Sequence, residues 1–156
     1  MRAYADTSLL VKLLTQEPGT TAAVDLYRQV GRPPVFFLAL HGLEVTNAIR
    51  QRAFHQRHSV ASSERTAIKR ERDTSLALLH KFISRRAFVE ISLDTEAAIE
   101  LARSLSAKHT ERLGARAIDL LHVASALMLE SELFLTADAL QAQLARAEGL
   151  NVESIG

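Results

Sequence analysis

Short apolar runs alternate along this chain with longer segments whose apolar residues recur at helical spacing. The short runs are bounded by turn-forming or polar residues, as is typical of buried strands. They predict strands at residues 3–5, 35–38, 88–91, 133–136 and 151–153. The longer segments predict helices at residues 7–16, 21–30, 40–56, 62–84, 115–130 and 138–147, with a further helix that Asp94 caps.

Strands and helices that alternate in this way predict an α/β fold with a central parallel sheet. We expect about four to five short strands, with helices flanking both faces of the sheet. Residues 43–113 contain neither Gly nor Pro, which favours long helices with few sharp turns. The chain holds no internal repeat, low-complexity tract or linker, so we interpret residues 1–156 as a single domain.

The composition excludes several classes of protein. A chain of 156 residues is long enough to bury one real core. The absence of cysteine excludes a disulfide scaffold, a zinc–thiolate site and a cysteine nucleophile. No apolar run approaches the roughly 18 residues of a membrane span. Asp6 and Lys12 interrupt the apolar N-terminal stretch, which makes it a poor signal peptide. We therefore expect a cytoplasmic protein that does not bind a membrane.

The net charge of the chain is only +1, but it is distributed unevenly. Residues 50–86 hold ten Lys and Arg residues against three acids, whereas the rest of the chain is net acidic. This segment is interpreted either as a solvated helical face or as an electrostatic guide for a polyanion such as RNA. In the second interpretation, Arg50, Arg52 and Arg57 are candidate RNA-guiding residues. The pattern shows no aromatic interleaving for base stacking, so we expect contacts mainly to phosphates.

Four acidic residues lie in mostly apolar stretches: Asp6, Glu44, Asp119 and Asp138. Asp6 follows the first predicted strand, Asp138 lies just beyond the fourth, and Glu44 lies in the first turns of the helix after the second. Asp119 lies near the start of the predicted helix that precedes the fourth strand. Because the carboxyl ends of parallel strands meet at one edge, where ligands gather, we expect these carboxylates to lie close together.

A carboxylate in apolar surroundings carries a large desolvation cost unless something compensates it, and a hard divalent cation would do so for all four acids. Mg²⁺ and Mn²⁺ prefer oxygen ligands, with water and substrate phosphates completing the shell. Such an ion would lower the pKa of a bound water and stabilise a leaving oxygen. Structural alternatives stay open: Asp6 and Asp138 as helix caps, Asp119 as a complement of a helix dipole, and Glu44 as the partner of a basic residue.

The four acids also lie in recognisable motifs. Residues 4–13 (YADTSLLVKL) place an Asp, a small residue and a Ser before apolar residues. Glu44 lies in residues 43–48 (LEVTNA), Asp119 in residues 118–127 (IDLLHVASAL), and Asp138 ends residues 134–138 (FLTAD). In order and spacing these segments resemble the four motifs of the PIN-domain family, and specifically those of the VapC-type toxins of toxin–antitoxin pairs. Each motif alone is weak, but together they span the chain.

The resemblance implies a PIN-like fold and a Mg²⁺- or Mn²⁺-dependent endoribonuclease that hydrolyses RNA phosphodiesters with metal-activated water. Asp6, Glu44, Asp119 and Asp138 would be its catalytic, metal-binding acids. Some relatives carry an additional acid close to the fourth one. Here residues 139–141 (ALQ) follow Asp138, so the number of ions, one or two, stays open.

The resemblance also implies neighbours for the acids and partners for the chain. Ser8 and Thr136 would orient carboxylates or water from a second layer. Asn47 would face the site, because it lies one helical turn after Glu44. The expected partners are an RNA substrate, a small VapB-type antitoxin and a second copy of the chain in a homodimer.

Other functions fit the sequence less well. A catalytically inactive PIN-like module that binds RNA or protein is the alternative, although it has no need of four clustered carboxylates. A haloacid-type phosphatase would want a second Asp where this chain has Ser8, and a phospho-receiver would want a lysine later than Lys108. His122 and His41 lie on apolar helices and are interpreted as packing residues rather than as metal ligands.

Overall fold

The computed structural model of the chain describes residues 1–155. Within them, five strands form: β1 (Ala3–Ala5), β2 (Val35–Phe37), β3 (Phe88–Glu90), β4 (Leu133–Thr136) and β5 (Val152–Ser154). Over the same residues the α-helices are α1 (Thr7–Leu14), α2 (Thr20–Gln29), α3 (Ala39–His58), α4 (Arg65–Ser84), α5 (Thr95–Leu113), α6 (Ala117–Met128) and α7 (Ala139–Ala147). None of the helices described has the length and apolar character needed to cross a membrane.

The sheet is parallel throughout, with the strand order β3-β2-β1-β4-β5. At its centre, Tyr4 of β1 pairs with Phe36 of β2 on one side and with Phe134 of β4 on the other. The chain runs outward from β1 to β3 and then returns to β4 and β5 on the opposite side. The winding direction therefore changes between β1 and β4, and ligands of open parallel sheets bind at such a switch point. The predicted α/β fold is confirmed.

Helices cover both faces of the sheet, because alternate residues of a strand point to opposite sides. On one face, Ala5 of β1 belongs to a buried cluster with Leu10 of α1 and Ile49 of α3, and α2 and α4 contribute to the same cluster. On the other face, Tyr4 belongs to a second cluster with Val123 of α6, to which α5 and α7 also contribute. The predicted helical layers on both faces are therefore confirmed.

The largest difference from the predicted elements lies at the helix expected over residues 115–130. In the structure, α6 begins at Ala117 and ends at Met128. Arg116 keeps an extended backbone, with φ −81° and ψ 156°, and its N–H donates to Oδ2 of Asp119 at 3.0 Å. This bond fixes the start of α6, because a side chain in the first turn satisfies a backbone donor that the helix leaves free.

Candidate active site

Asp6 lies at the carboxyl end of the central strand β1 and caps α1. Its Oδ1 accepts hydrogen bonds from Ser8 Oγ at 2.7 Å and from Leu9 N at 3.2 Å, and its Oδ2 accepts from Thr136 Oγ1 at 2.8 Å. Burial raises the pKa of the Asp6 carboxyl, and the hydrogen bonds from Ser8 and Thr136 oppose that shift. The carboxylate is thus oriented by three donors in a site that strongly disfavours its charge.

The hydroxyls of Ser8 and Thr136 connect the carboxyl end of β1 to that of β4. The hydroxyl of Thr136, at the end of β4, accepts from the backbone N–H of Asp138 at 2.9 Å while it donates to Asp6. The hydroxyl of Ser8 accepts from the backbone N–H of Ala137 at 3.0 Å while it donates to Asp6. Both hydroxyls therefore hold Asp6 against the segment that carries Asp138.

Glu44 lies in the second turn of α3 and contacts two polar side chains. Its Oε2 accepts from Thr7 Oγ1 at 2.8 Å and lies 2.7 Å from Nε2 of His122 on α6. A carboxylate can only accept, so the His122 Nε2–H donates to Glu44. In the neutral imidazole, Nδ1 of His122 then accepts from the Tyr4 hydroxyl, which lies 2.8 Å away. These contacts tie Glu44 directly to α1 and α6, and through His122 to Tyr4 of β1.

His41 packs against the rings of His122 and Tyr4 and does not itself contact one of the four acids. Its ring lies 5.2 Å from the His122 ring and 5.0 Å from the Tyr4 ring. Its Nδ1 accepts from Leu38 N at 2.9 Å, so its Nε2–H donates to the Ala5 carbonyl at 3.0 Å. Burial, followed by the proximity of His122, lowers the pKa of His41 to about 3. The ring is therefore neutral at ordinary pH.

Asp119 and Asp138 share one cationic neighbour, Arg116. The guanidinium grips Asp119 in a fork, with Nε to Oδ2 at 2.9 Å and Nη2 to Oδ1 at 3.0 Å. The same Nη2 lies 3.8 Å from Oδ2 of Asp138. Asp138 also caps α7, because its Oδ1 accepts from Gln141 N at 3.0 Å. The charges of the two carboxylates are thus partly balanced inside the site.

The predicted site residues differ in how closely they are joined. Contacts link three of the acids, because Thr136 joins Asp6 to the backbone of Asp138 and Arg116 joins Asp138 to Asp119. Glu44 contacts Thr7, the residue after Asp6, and His122, on the helix that carries Asp119. Ser8 and Thr136 lie inside the group. Asn47 is exposed on α3 and stands apart from these contacts.

The structural alternatives for three of the acids are also realised. Asp6 and Asp138 cap helices, and Asp119 lies in the first turn of α6. Capping, however, requires only the backbone N–H groups of each acid's own helix. It does not require Thr136 to reach Asp6 from another strand, or Arg116 to lie between Asp119 and Asp138. The convergence of the acids therefore needs a further explanation.

The sequence analysis missed Thr7, Arg116 and His122 as members of the group. For Arg116 a signal existed, because a residue three positions before Asp119 is placed to pair with it at a helix start. His122 lies one helical turn after Asp119, so its position near the acids was predictable. Its hydrogen bond to Glu44 was not, because the two residues belong to different helices that only folding brings together.

The fit of a metal ion can be tested on the donors themselves. The carboxylates supply the hard oxygen ligands that Mg²⁺ and Mn²⁺ prefer, and a cationic group already lies between Asp119 and Asp138. As arranged in residues 1–155, no three His, Asp or Glu side chains converge closely enough to enclose an ion. The chemistry of the donors fits a divalent metal, and at Asp119 and Asp138 such an ion would take the place of Arg116.

A second surface, which we call the basic groove, lies between α3 and α4 and encloses about 330 Å³. Cationic and apolar side chains line it together: Arg50, Ala53, Phe54, Arg57, Arg65, Ile68, Lys69 and Arg72. Phe54 is 52% exposed and its ring lies 4.3 Å from that of His58, so the groove offers an aromatic face that the sequence pattern did not predict. Arg52 is held elsewhere, by Glu17 and Glu71 at 3.5 Å each.

Comparison with known proteins places this fold. The family model for the PIN domain matches residues 3–151. The crystal structure of FitAcB from Neisseria gonorrhoeae is similar, with a TM-score of 0.56 and 14% sequence identity over 96% of this chain and 95% of that chain. At that identity the likeness concerns the fold alone. No curated protein matches the chain significantly in sequence. Because the family model covers nearly its whole length, the chain belongs to the PIN domain family.

Proposed function

We propose that this chain is a metal-dependent endoribonuclease and the toxin component of a VapC-type toxin–antitoxin pair. The observation that carries the proposal is the position of the acids at the switch point of a PIN-domain sheet, where contacts through Thr136 and Arg116 link Asp6, Asp138 and Asp119. Membership of the family makes nuclease chemistry the natural use of such a group. The toxin role follows from the resemblance of the four sequence motifs.

The acids Asp6, Glu44, Asp119 and Asp138 would hold one or two divalent ions, Mg²⁺ or Mn²⁺. A bound ion supplies Lewis-acid chemistry, since it lowers the pKa of water and offsets charge on a phosphodiester. The chain's own residues keep the ligands in place. Ser8 and Thr136 fix both oxygens of Asp6, and these contacts limit the motion that would weaken the site.

Glu44 and His122 would accept and donate protons next to the bound ions. The imidazole donates to Glu44 through Nε2 and accepts from the buried Tyr4 hydroxyl through Nδ1. Burial raises the pKa of Tyr4, so this hydroxyl keeps its proton and holds His122 in one tautomer. The orientation of Glu44 therefore depends on a chain of hydrogen bonds that starts in the core.

The basic groove would bind the RNA backbone. Exposed Arg50 and Arg57 lie along the same helix that carries Glu44, and thirteen residues of α-helix span about 20 Å. Several nucleotides of a strand can bridge that distance. Arg52 is committed to ion pairs with Glu17 and Glu71, so we assign the guiding role to the other two.

The proposed partners are a small VapB-type antitoxin and a second copy of the chain. Beside Glu44, Leu43 is 69% exposed next to a mostly apolar cavity of about 500 Å³. An exposed leucine at an apolar hollow is a typical docking feature for an amphipathic helix. A homodimer is tested by light scattering, which should give about twice the chain mass of 17.2 kDa.

The deciding experiment is cleavage of total cellular RNA by the purified chain with Mg²⁺, with Mn²⁺ and with EDTA. Asp6→Asn should abolish the discrete fragments that the metal-loaded chain produces. Asp94→Asn is the matched control, because Asp94 also caps a helix, with Ala97 N at 3.0 Å, but lies outside the group of acids. Asn still caps well, so neither change should unfold the chain. Full activity in Asp6→Asn would overturn the proposed site.

One observation favours the alternative, a catalytically inactive module that binds RNA or protein. Arg116 already neutralises Asp119, and in residues 1–155 no three candidate ligands enclose an ion. A metal-free module should show no stabilisation by Mg²⁺ or Mn²⁺ in thermal unfolding, whereas a ligand that binds only the folded chain raises its melting temperature. Absence of that shift, together with RNA binding without cleavage, would select the alternative.

A further inference from the structure

Arg116 is an exposed cation that lies between two of the four acids, Asp119 and Asp138. Three of its donors bind Asp119: the backbone N–H and Nε to Oδ2, and Nη2 to Oδ1. Its Nη2 also lies within ion-pair distance of Asp138, at 3.8 Å. One guanidinium therefore contacts two of the four acids that the proposed function assigns to a metal.

The fork leaves Asp119 little capacity for another cation. A carboxylate has about four lone-pair sites, two on each oxygen. At Asp119, Oδ2 receives two hydrogen bonds from Arg116 and Oδ1 receives one. A metal ion that takes Asp119 as a ligand must therefore compete with the guanidinium for the same oxygens and for the same space beside Asp138.

Exposure makes the guanidinium displaceable. The side chain of Arg116 is 67% exposed, whereas that of Asp119 is only 7% exposed. The buried carboxylate needs a partner, but the arginine keeps most of its contact with water and loses little when it swings outward. The pair is thus asymmetric. Breaking it costs the exposed guanidinium of Arg116 little free energy, but it leaves the buried charge of Asp119 uncompensated unless another cation binds.

We infer that Arg116 is a built-in counter-cation, whose guanidinium fork holds Asp119 and Asp138 together in the metal-free chain and leaves when a divalent ion binds. The inference rests on the metal site of the proposed function. Metal binding is then an exchange of cations. In the metal-free chain the fork balances the charges of Asp119 and Asp138, so the chain binds metal more weakly than the carboxylates alone would.

The test is direct titration with Mn²⁺ by calorimetry, in a buffer free of other divalent ions. Arg116→Met removes the fork and keeps an unbranched, largely apolar stem, so Mn²⁺ should bind about tenfold more tightly, as expected for loss of a charge-assisted competitor. Arg116→Lys keeps the charge and loses the fork, so its affinity should lie between those of Arg116→Met and wild type.

The matched control is Arg103→Met. Arg103 pairs with Glu100 at 2.9 Å, also three residues apart on a helix, and not with any of the four acids. Its Mn²⁺ affinity should equal that of the wild type. Thermal unfolding in EDTA is a second readout that does not depend on activity. Arg116→Met should melt at a lower temperature than the wild type in EDTA and regain more of that loss when Mn²⁺ is added.

The outcomes separate this inference from the proposed function. Equal Mn²⁺ affinities in the wild type and Arg116→Met would overturn the inference and leave the metal site standing. An equal gain in Arg103→Met would also overturn it, because the loss of any positive charge would then suffice. Wild-type affinity in Arg116→Lys would rule out the fork as the competing group. Failure of all four proteins to bind Mn²⁺ would overturn the proposed metal site itself.

Discussion

At the scale of single residues, Asp6 is subject to two opposed effects. Burial in the sheet edge disfavours its charge, whereas Ser8, Thr136 and the N–H of Leu9 stabilise it. Burial is the larger effect, so the pKa of Asp6 is raised. The ionised form of Asp6 thus lowers the stability of the fold, yet three donors hold it in place. Such a residue is typical of a functional site.

Replacing Asp6 by Asn should therefore separate function from stability. Asn Oδ1 can still accept from Ser8 and from Leu9 N, while the buried negative charge disappears. We expect the free energy of unfolding in EDTA to stay the same or to rise by about 1 kcal/mol, as urea unfolding at pH 7 would measure. A large loss of stability in Asp6→Asn, absent from Asp94→Asn, would mean that Asp6 is a structural residue.

His41 provides a prediction about pH. Its pKa in the fold is about 3, and an unfolded chain binds the proton near pH 6.5. The unfolded state thus binds more protons between these values. The stability that His41 contributes is complete above about pH 6.5 and is lost as the pH falls, by up to about 1.4 kcal/mol per pH unit.

The comparison uses His41→Asn, since Asn can accept the Leu38 N–H but does not titrate. Between pH 6.5 and 5 the wild type should lose about 2 kcal/mol more stability than His41→Asn. His122 and Tyr4, whose rings face His41, are present in both proteins, so the comparison isolates the contribution of His41. His80→Asn, at an exposed position on α4, should keep the wild-type slope. Identical slopes in wild type and His41→Asn would contradict the assignment.

At the scale of elements, the helical hairpin of α3 and α4 carries both one of the four acids and the basic groove. The first turns of α3 place Glu44 at the acids, and residues further along α3 and α4 form the basic groove. Arg52 pins the hairpin to the loop after α1 through Glu17 and to α4 through Glu71. The groove is therefore held at a defined distance from the acids.

Charge reversal in the groove tests its role in RNA binding. We expect Arg57→Glu with Lys69→Glu to weaken binding of a labelled single-stranded RNA by Asp6→Asn protein in EDTA, where no cleavage occurs. Each lost phosphate contact lowers the slope of log K against log salt by about 0.7. Lys81→Glu with Arg85→Glu makes the same change of net charge at exposed positions toward the other end of α4, and is the control. An equal effect of this control would show that overall charge, and not the groove, binds RNA.

At the scale of the whole molecule, one sheet joins two buried clusters, one on each face. β1 contributes alternate residues to both, so neither cluster can form without the central strand. The two tyrosines of the chain report separately on them, because Tyr27 belongs to the first cluster and Tyr4 to the second. The single domain that the sequence predicts can be tested with these two reporters.

Unfolding should therefore be a single cooperative transition. Without tryptophan, tyrosine fluorescence of Tyr4→Phe reports on the first face and that of Tyr27→Phe on the second. Within each variant, the fluorescence midpoint in urea should coincide with the midpoint from circular dichroism. Removing either hydroxyl shifts both midpoints of that variant together, since Tyr4 bonds His122 and Tyr27 bonds the Pro33 carbonyl. Separated midpoints within one variant would indicate two domains.

The sequence by itself determined the order of strands and helices, the parallel sheet and the edge at which Asp6 and Asp138 lie. Those features follow from periodicity and from the position of a residue after its strand, which are local properties of the chain. Capping by Asp94, which the sequence predicts, and by Asp6 and Asp138, which it leaves open as an alternative, is local in the same sense. Each cap binds a backbone N–H three residues later.

Only the tertiary structure decided which donors hold each acid and which cations remain free. Thr136 and Asp6 are 130 positions apart, and His122 and Glu44 are 78 apart, so no local pattern relates them. Arg50 and Arg52 look alike in sequence, but packing buries most of Arg52 between two glutamates. The physical reason is that desolvation and ion pairing depend on which elements meet in space, and that is settled when helices pack on the sheet.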